Sequence, residues 1–237
     1  MFNYKHLFII TIVLIFFTGY HFLAYNKKII SYLQKGMSKE TMIFSIFYYR
    51  KMTGFLFLGI LPFLVFNWVH PELFTLIGWD FQLKSKNWIA LFLLILLVIA
   101  FNSWAGNKPH AYLKYPQMRY CEWNWYRFSA NIAGWILYLI AYEFLFRGIL
   151  FFAFLDSLGL WPAIAVNLVI YAGVHLIQGI RETLGCLVFG MVLCLLVWNT
   201  GSLLPAILLH ASLTISMDVS AIIHNPGMRF TFSIPQK

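Results

Sequence analysis

Four side chains in the second half of this sequence can do acid–base chemistry: Glu143, Arg147, His175 and His210. Glu143 and Arg147 fall in the string Tyr142-Glu143-Phe144-Leu145-Phe146-Arg147-Gly148, near the middle of an apolar stretch of more than twenty residues. An ionisable side chain at bilayer depth costs about 2.5–3.5 kcal/mol on insertion scales, so it reads by default as part of a functional site. Four residues apart, the acid and the base share one helix face and offset part of each other's desolvation. A structural ion pair would have the same spacing. An arginine beside a carboxylate also sets how tightly that carboxylate holds a proton, which is how a general base is tuned. These two residues alone leave both readings open.

The histidines tip the balance. His175 ends Tyr171-Ala172-Gly173-Val174-His175, and His210 follows Gly201-Ser202-Leu203-Leu204-Pro205 by a few residues in another apolar run. Either one alone reads as a hydrogen-bonded core residue. Two of them, with Glu143 and Arg147, point to one shared site, and Gly173 and Ala211 beside them permit close approach of helices or substrate. Two histidines and a carboxylate can also hold zinc with an open position. His175, His210 and Glu143 would then each come from a different span, and the chain has no His-x-x-x-His pair, so a metal is the minor reading. Asp218 lies two turns past His210 on the same face and reads as structural or as a surface residue near the interface. Tyr142, Asn167 and Thr214 are neutral and can bond across helices.

The elements that must position these groups are membrane spans. The chain is 61% hydrophobic and 11% charged, against about 45–50% and about 25% in soluble domains. Apolar runs at roughly 7–24, 53–69, 87–104, 129–155, 161–179, 184–199 and 203–223 predict an all-α, polytopic transmembrane bundle of about seven spans. Uninterrupted runs of this length exclude a β-barrel. The first is read as an uncleaved anchor, because no small-x-small site precedes Lys27-Lys28. Three cysteines, Cys121, Cys186 and Cys194, show neither a disulfide framework nor a zinc pattern. The chain divides into N-terminal spans with basic loops (1–127), a core (128–223) and a tail (224–237).

Lysine and arginine placement predicts orientation. Lys27, Lys28, Lys35, Lys39, Arg50 and Lys51 fall between the first two spans, and Lys108, Lys114, Arg119 and Arg127 precede the fourth. The segment at 70–86 offsets Lys84 and Lys86 with Glu72 and Asp80, while Arg181, Arg229 and Lys237 join the basic side. This places the N-terminus outside and the C-terminus in the cytoplasm of a multi-pass cell-membrane protein. Residues 26–51 mix lysines with Ile29, Ile30, Leu33, Met37, Ile43 and Phe44, which reads equally as a basic loop or as an interfacial amphipathic segment attracted to anionic lipid.

Taken together, the motifs resemble those of the CPBP family of intramembrane proteases, the Abi group, which includes relatives of CAAX prenyl endopeptidases and bacteriocin-immunity proteins. Its pattern is Glu-Glu-x-x-x-Arg, then Phe-x-x-x-His, then His-x-x-x-Asn. Glu143 and Arg147 match the first motif, Tyr171 and His175 the second, and His210 the third, over about residues 130–216. Two positions depart: Tyr142 stands where the family has its first glutamate, and Thr214 where it has asparagine. The resemblance implies that His175 helps activate water, with Glu143 substituting for the absent glutamate, and that His210, with Thr214, stabilises the oxyanion. It implies a peptide or membrane-protein substrate in the lipid bilayer, no cofactor and no nucleic acid. The departures raise a second expectation, a catalytically impaired pseudoprotease that binds peptides in immunity or regulation. Buried Glu143, Arg147 and Asp218 would also suit an ion or solute transporter. One geometric conflict follows from the span boundaries. Counted from the outer ends of their spans, His175 lies about seven residues deeper than His210, an offset near 10 Å at about 1.5 Å per residue. A short or re-entrant linker at 200–204, or different boundaries, would remove it.

Overall fold

A computed structural model of the chain describes residues 3–78, 85–176 and 179–231. Asp80, Lys84 and Lys237 of the charge reading lie outside the described residues, as do the side chains of Lys86 and Arg181. The architecture is an all-helical bundle: α1 (Tyr4–Ala24), α2 (Lys27–Leu33), α3 (Lys39–Val69), α4 (Leu73–Leu76), α5 (Ser85–Ala105), α6 (Pro109–Tyr112), α7 (Trp125–Leu158), α8 (Leu160–His175), α9 (Ile180–Thr200) and α10 (Leu204–His224). A two-residue parallel pair, β1 (Glu122–Trp123) with β2 (Arg229–Phe230), ties the chain after α10 to the start of α7.

Among the described residues six helices are long and apolar enough to cross a membrane: α1, α3, α5, α7, α9 and α10. The fifth expected span, 161–179, is the shorter α8. Its 16 residues reach about 24 Å, less than the roughly 30 Å hydrocarbon core. The expected span at 53–69 begins earlier, since the helix already starts at Lys39. Lys51 is therefore not a loop residue: it lies within α3, 3% exposed, with its ammonium over the ring of Trp135.

Contacts sort the connecting segments onto two faces. Glu40 pairs with Arg127, Lys114 with Glu182, and Glu122 with Arg229, which gathers the segments read as basic on one side. On the other side Lys5 pairs with Glu72, His6 meets Ser157, and the Leu203 amide donates to the Gly78 carbonyl. The segments read as basic thus share one face of the bundle.

The central helix is α7. It is 34 residues long and 72% buried in its apolar window, against 11–39% for the other long helices. Asn124 starts it, its side chain accepting from the Arg127 amide. Gly159, at φ +82°, ends it in a conformation that only glycine adopts freely. Gly134 and Gly54 let α3 and α7 close together, since a Cβ at either would meet Phe47 or Tyr138 at 2.4 Å.

The 200–204 linker resolves the depth conflict. Thr200 ends α9, Gly201 turns the chain at φ +66°, and α10 resumes at Leu204. Leu203 packs on Gly148, well short of the end of α7, whereas α8 starts just past that end. The start of α10 therefore lies deeper than that of α8, and His210 comes level with His175. The linker is closed from outside by residues 73–78, where a Cβ on Gly78 would fall 1.6 Å from the Gly201 carbonyl oxygen. We expect Gly78→Ala to displace this turn and to cost about 1–3 kcal/mol. A lowered thermal midpoint in detergent would report it, and an unchanged midpoint would contradict the close approach.

Candidate active site

The acid and base of the first motif sit where α7 changes its winding. The α-helical stretch ends at Glu143, and Phe144–Phe151 forms a π-helical segment before α-geometry resumes at Phe152. Such wide turns are rare and frequently mark functional sites, because they free backbone groups and rotate side chains relative to the rest of the helix. Here the Phe146 carbonyl accepts a 2.7 Å hydrogen bond from the Asn167 side chain of α8, whose oxygen accepts in turn from the Cys194 thiol of α9. Asn167 is fully buried. Asn167→Leu would strip the carbonyl of that donor at a cost of about 1–3 kcal/mol. A thermal melt of the purified variant checks this; an unaltered midpoint would show that the bond does not secure the wide turn.

Glu143 and Arg147 are both 0% exposed. Arg147 Nη1 lies 3.4 Å from Oε1 and 3.3 Å from Oε2 of Glu143, and its guanidinium sits 4.2 Å over the ring of Tyr171. The tyrosine of the second motif thus covers the arginine of the first, a cation–π contact on the desolvated side of the pair. Glu143 Oε1 also receives His210 Nδ1 at 2.5 Å. A carboxylate only accepts, so His210 donates from Nδ1 and directs Nε2 away from Glu143. Buried Glu143 Oε2 and Arg147 Nε and Nη2 make no hydrogen bond.

His175 is the last residue of α8. Its Nδ1 lies 2.7 Å from the Tyr171 carbonyl oxygen, so Nδ1 carries the proton and the neutral ring presents a lone pair on Nε2. Tyr142 lies between the two histidines. Its ring stacks on Phe146 at 4.6 Å and meets those of Tyr171, His175 and His210 edge-on at 5.9, 6.3 and 5.8 Å. Its buried hydroxyl has no hydrogen-bond partner.

Six of the seven residues singled out from the sequence are thus brought together: Tyr142, Glu143, Arg147, Tyr171, His175 and His210. Thr214 is not among them. It lies half-buried one turn past His210 and hydrogen-bonds to none of these side chains. The expected role of Glu143 also changes. Its carboxylate holds His210 and Arg147 rather than standing beside His175, and the one oxygen free of hydrogen bonds is closed to solvent. Among the described residues no group of three or more histidine, cysteine, aspartate or glutamate side chains is placed to hold a metal ion.

Asp218 departs from the surface reading. It is fully buried and accepts from Asn131 at 2.8 Å and Trp135 at 2.9 Å, two turns from the site along both α7 and α10. It ties the same two helices that carry Glu143 and His210. Sequence reasoning missed the wide turn, whereas the bonds of Asn167 to α7 and α9 agree with its reading as a neutral residue that bonds across helices.

Residues 122–216 match the family model Type II CAAX prenyl endopeptidase Rce1-like. No curated protein and no solved structure matches the chain. The match covers all three motifs. It supports the CPBP family of intramembrane proteases and, at family level, a multi-pass CAAX-type membrane protease.

Proposed function

Proceeding from a CPBP-type core in residues 122–216, we propose that this protein hydrolyses a peptide bond of a membrane-associated protein or peptide, with His175 and His210 as its catalytic pair. The observation that carries the reading is the 2.5 Å bond from His210 to Glu143 beside a second histidine whose Nε2 lone pair is directed outward by its own backbone bond. His175 Nε2 takes a proton from water as the water attacks the peptide carbonyl, and later returns it to the departing amine. His210, acting as the imidazolium that Glu143 stabilises at Nδ1, donates from Nε2 to the oxyanion of the tetrahedral intermediate, the most effective place for a fixed donor. Glu143 acts through His210, as a carboxylate orients and charges its imidazole in other hydrolases. Arg147 and Tyr171 fix Glu143.

The test is cleavage of a liposome-anchored peptide by purified protein, read by mass spectrometry with prenylated and unprenylated versions side by side. Wild type should yield two defined fragments, and Glu143→Gln should lose most of the rate. Full activity in Glu143→Gln would contradict the role given to the pair.

A second reading rests on Tyr142. Its ring, with an unpartnered hydroxyl, fills the place where the family carries a carboxylate, which suits a protein that binds a peptide without cutting it, in immunity or regulation. That reading predicts an unchanged cellular phenotype in folded Glu143→Gln. Loss of the phenotype in the folded variant would contradict it. In both readings the basic face is cytoplasmic, by the positive-inside bias, with the N-terminus outside.

A further inference from the structure

Away from the site, the basic face holds a recess of about 220 Å³ between α2, the first turns of α3 and the segment before β1. Helix α3 explains its depth. Its 31 residues extend about 46 Å, well beyond a hydrocarbon core of about 30 Å. The surplus falls at the Lys39 end, where the charges are, so the recess stands at headgroup level. Its floor is apolar, formed by Met42, Ile43 and Phe47, and its walls carry Arg50, Arg119 and the amide of Gln117. Among the described residues no acidic side chain lines it. The nearest acid along α3, Glu40, is already paired with Arg127 at 2.6 Å.

Both arginines are held in place. The Arg50 guanidinium lies 4.7 Å over the ring of Tyr25, and its Nε is buried without a hydrogen-bond partner. Arg119 Nη1 donates to the Tyr112 and Tyr115 carbonyls at 3.2 and 2.8 Å, which leaves Nη2 without a hydrogen bond among the described residues. Two pre-set guanidinium groups over an apolar floor match one kind of occupant, an anion carried on a hydrocarbon chain. Guanidinium binds phosphate through paired N–H donors and is weakly hydrated, so it gives up water readily at an interface.

We propose that this recess is a binding site for an anionic phospholipid, with the phosphate between Arg50 and Arg119 and the start of an acyl chain on Met42, Ile43 and Phe47. The site is independent of the catalytic reading. It would anchor the α2–α3 corner, and through the Gly54–Tyr138 and Phe47–Gly134 contacts it bears on the helix that carries Glu143.

Native mass spectrometry of the full-length protein, released from detergent micelles with phosphatidylglycerol or phosphatidylcholine of equal chain length, tests the proposal. Phosphatidylglycerol should be retained preferentially. Arg50→Gln should reduce that preference about fivefold, the effect expected for one cation near a lipid surface, and R50Q/R119Q should abolish it. Met42→Trp, which fills the floor without touching a charge, should weaken retention of phosphatidylglycerol. Should R119Q fail to fold, Arg50→Gln and Met42→Trp still decide. Equal retention of the two lipids by wild type, or an unchanged preference in Arg50→Gln, would overturn the site. Displacement by glycerol 3-phosphate at the same concentration would overturn its assignment to a lipid in favour of a soluble phosphate.

Discussion

His175→Ala in bilayer-reconstituted protein should lower peptide cleavage by about 100- to 10,000-fold, the range for removal of a general base, with little change in thermal midpoint. The structural effect is small because the ring is not part of the core. It sits at the end of α8, half-buried, and its one hydrogen bond is to the carbonyl one turn back. That bond sets the tautomer, and the fold does not depend on it. A kcat loss at constant KM separates this role from a substrate-binding one. His175→Gln keeps a donor for the Tyr171 carbonyl but offers no comparable base, so it should be as inactive as alanine. A glutamine variant with near wild-type rate would show that His175 only holds position.

The second large effect runs the other way. Tyr142→Glu should raise cleavage about 100-fold or more, since a carboxylate between His175 and His210 would supply the base that the family pattern places there. The position is already right: the Tyr142 ring lies 6.3 Å from that of His175 and 5.8 Å from that of His210. The gain should come with lost stability. The stack on Phe146 and the edge contact with Tyr171 disappear, at about 0.5–1.5 kcal/mol for each aromatic pair. Tyr142→Gln, similar in size and uncharged, should show the stability loss without the gain. If Tyr142→Glu folds and cleaves no faster, the tyrosine is no handicap and water activation rests on the histidines alone.

The bundle was legible because its physics is coarse. Apolar runs of span length and alternating basic loops need no side-chain detail, and both reappear in the helices and in the ion pairs that gather the basic segments on one face. The site was legible through rarity: Glu143, Arg147, His175 and His210 stand out because bilayer cores seldom hold such groups. Two things were hidden. The direction of the Glu143 carboxylate depends on the wide turn at Phe144–Phe151, and no residue pattern in FLFRGILF announces that winding. The level of α10 depends on a three-residue linker and on Gly78, which lies far away in sequence. Lys51 was misread for a related reason. A charge next to Arg50 looks like part of a basic loop until helix α3 turns it inward onto Trp135.

The central claim is that two histidines, one aligned by Glu143 and one by the Tyr171 carbonyl, hydrolyse a peptide in the membrane. The most direct measurement compares wild type with the His175→Ala/His210→Ala double variant on one liposome-anchored peptide under single-turnover conditions. The account predicts two fragments from the wild type and, because the two histidines act as one unit, a double variant little slower than either single one. Equal fragment yield from wild type and the double variant would contradict it.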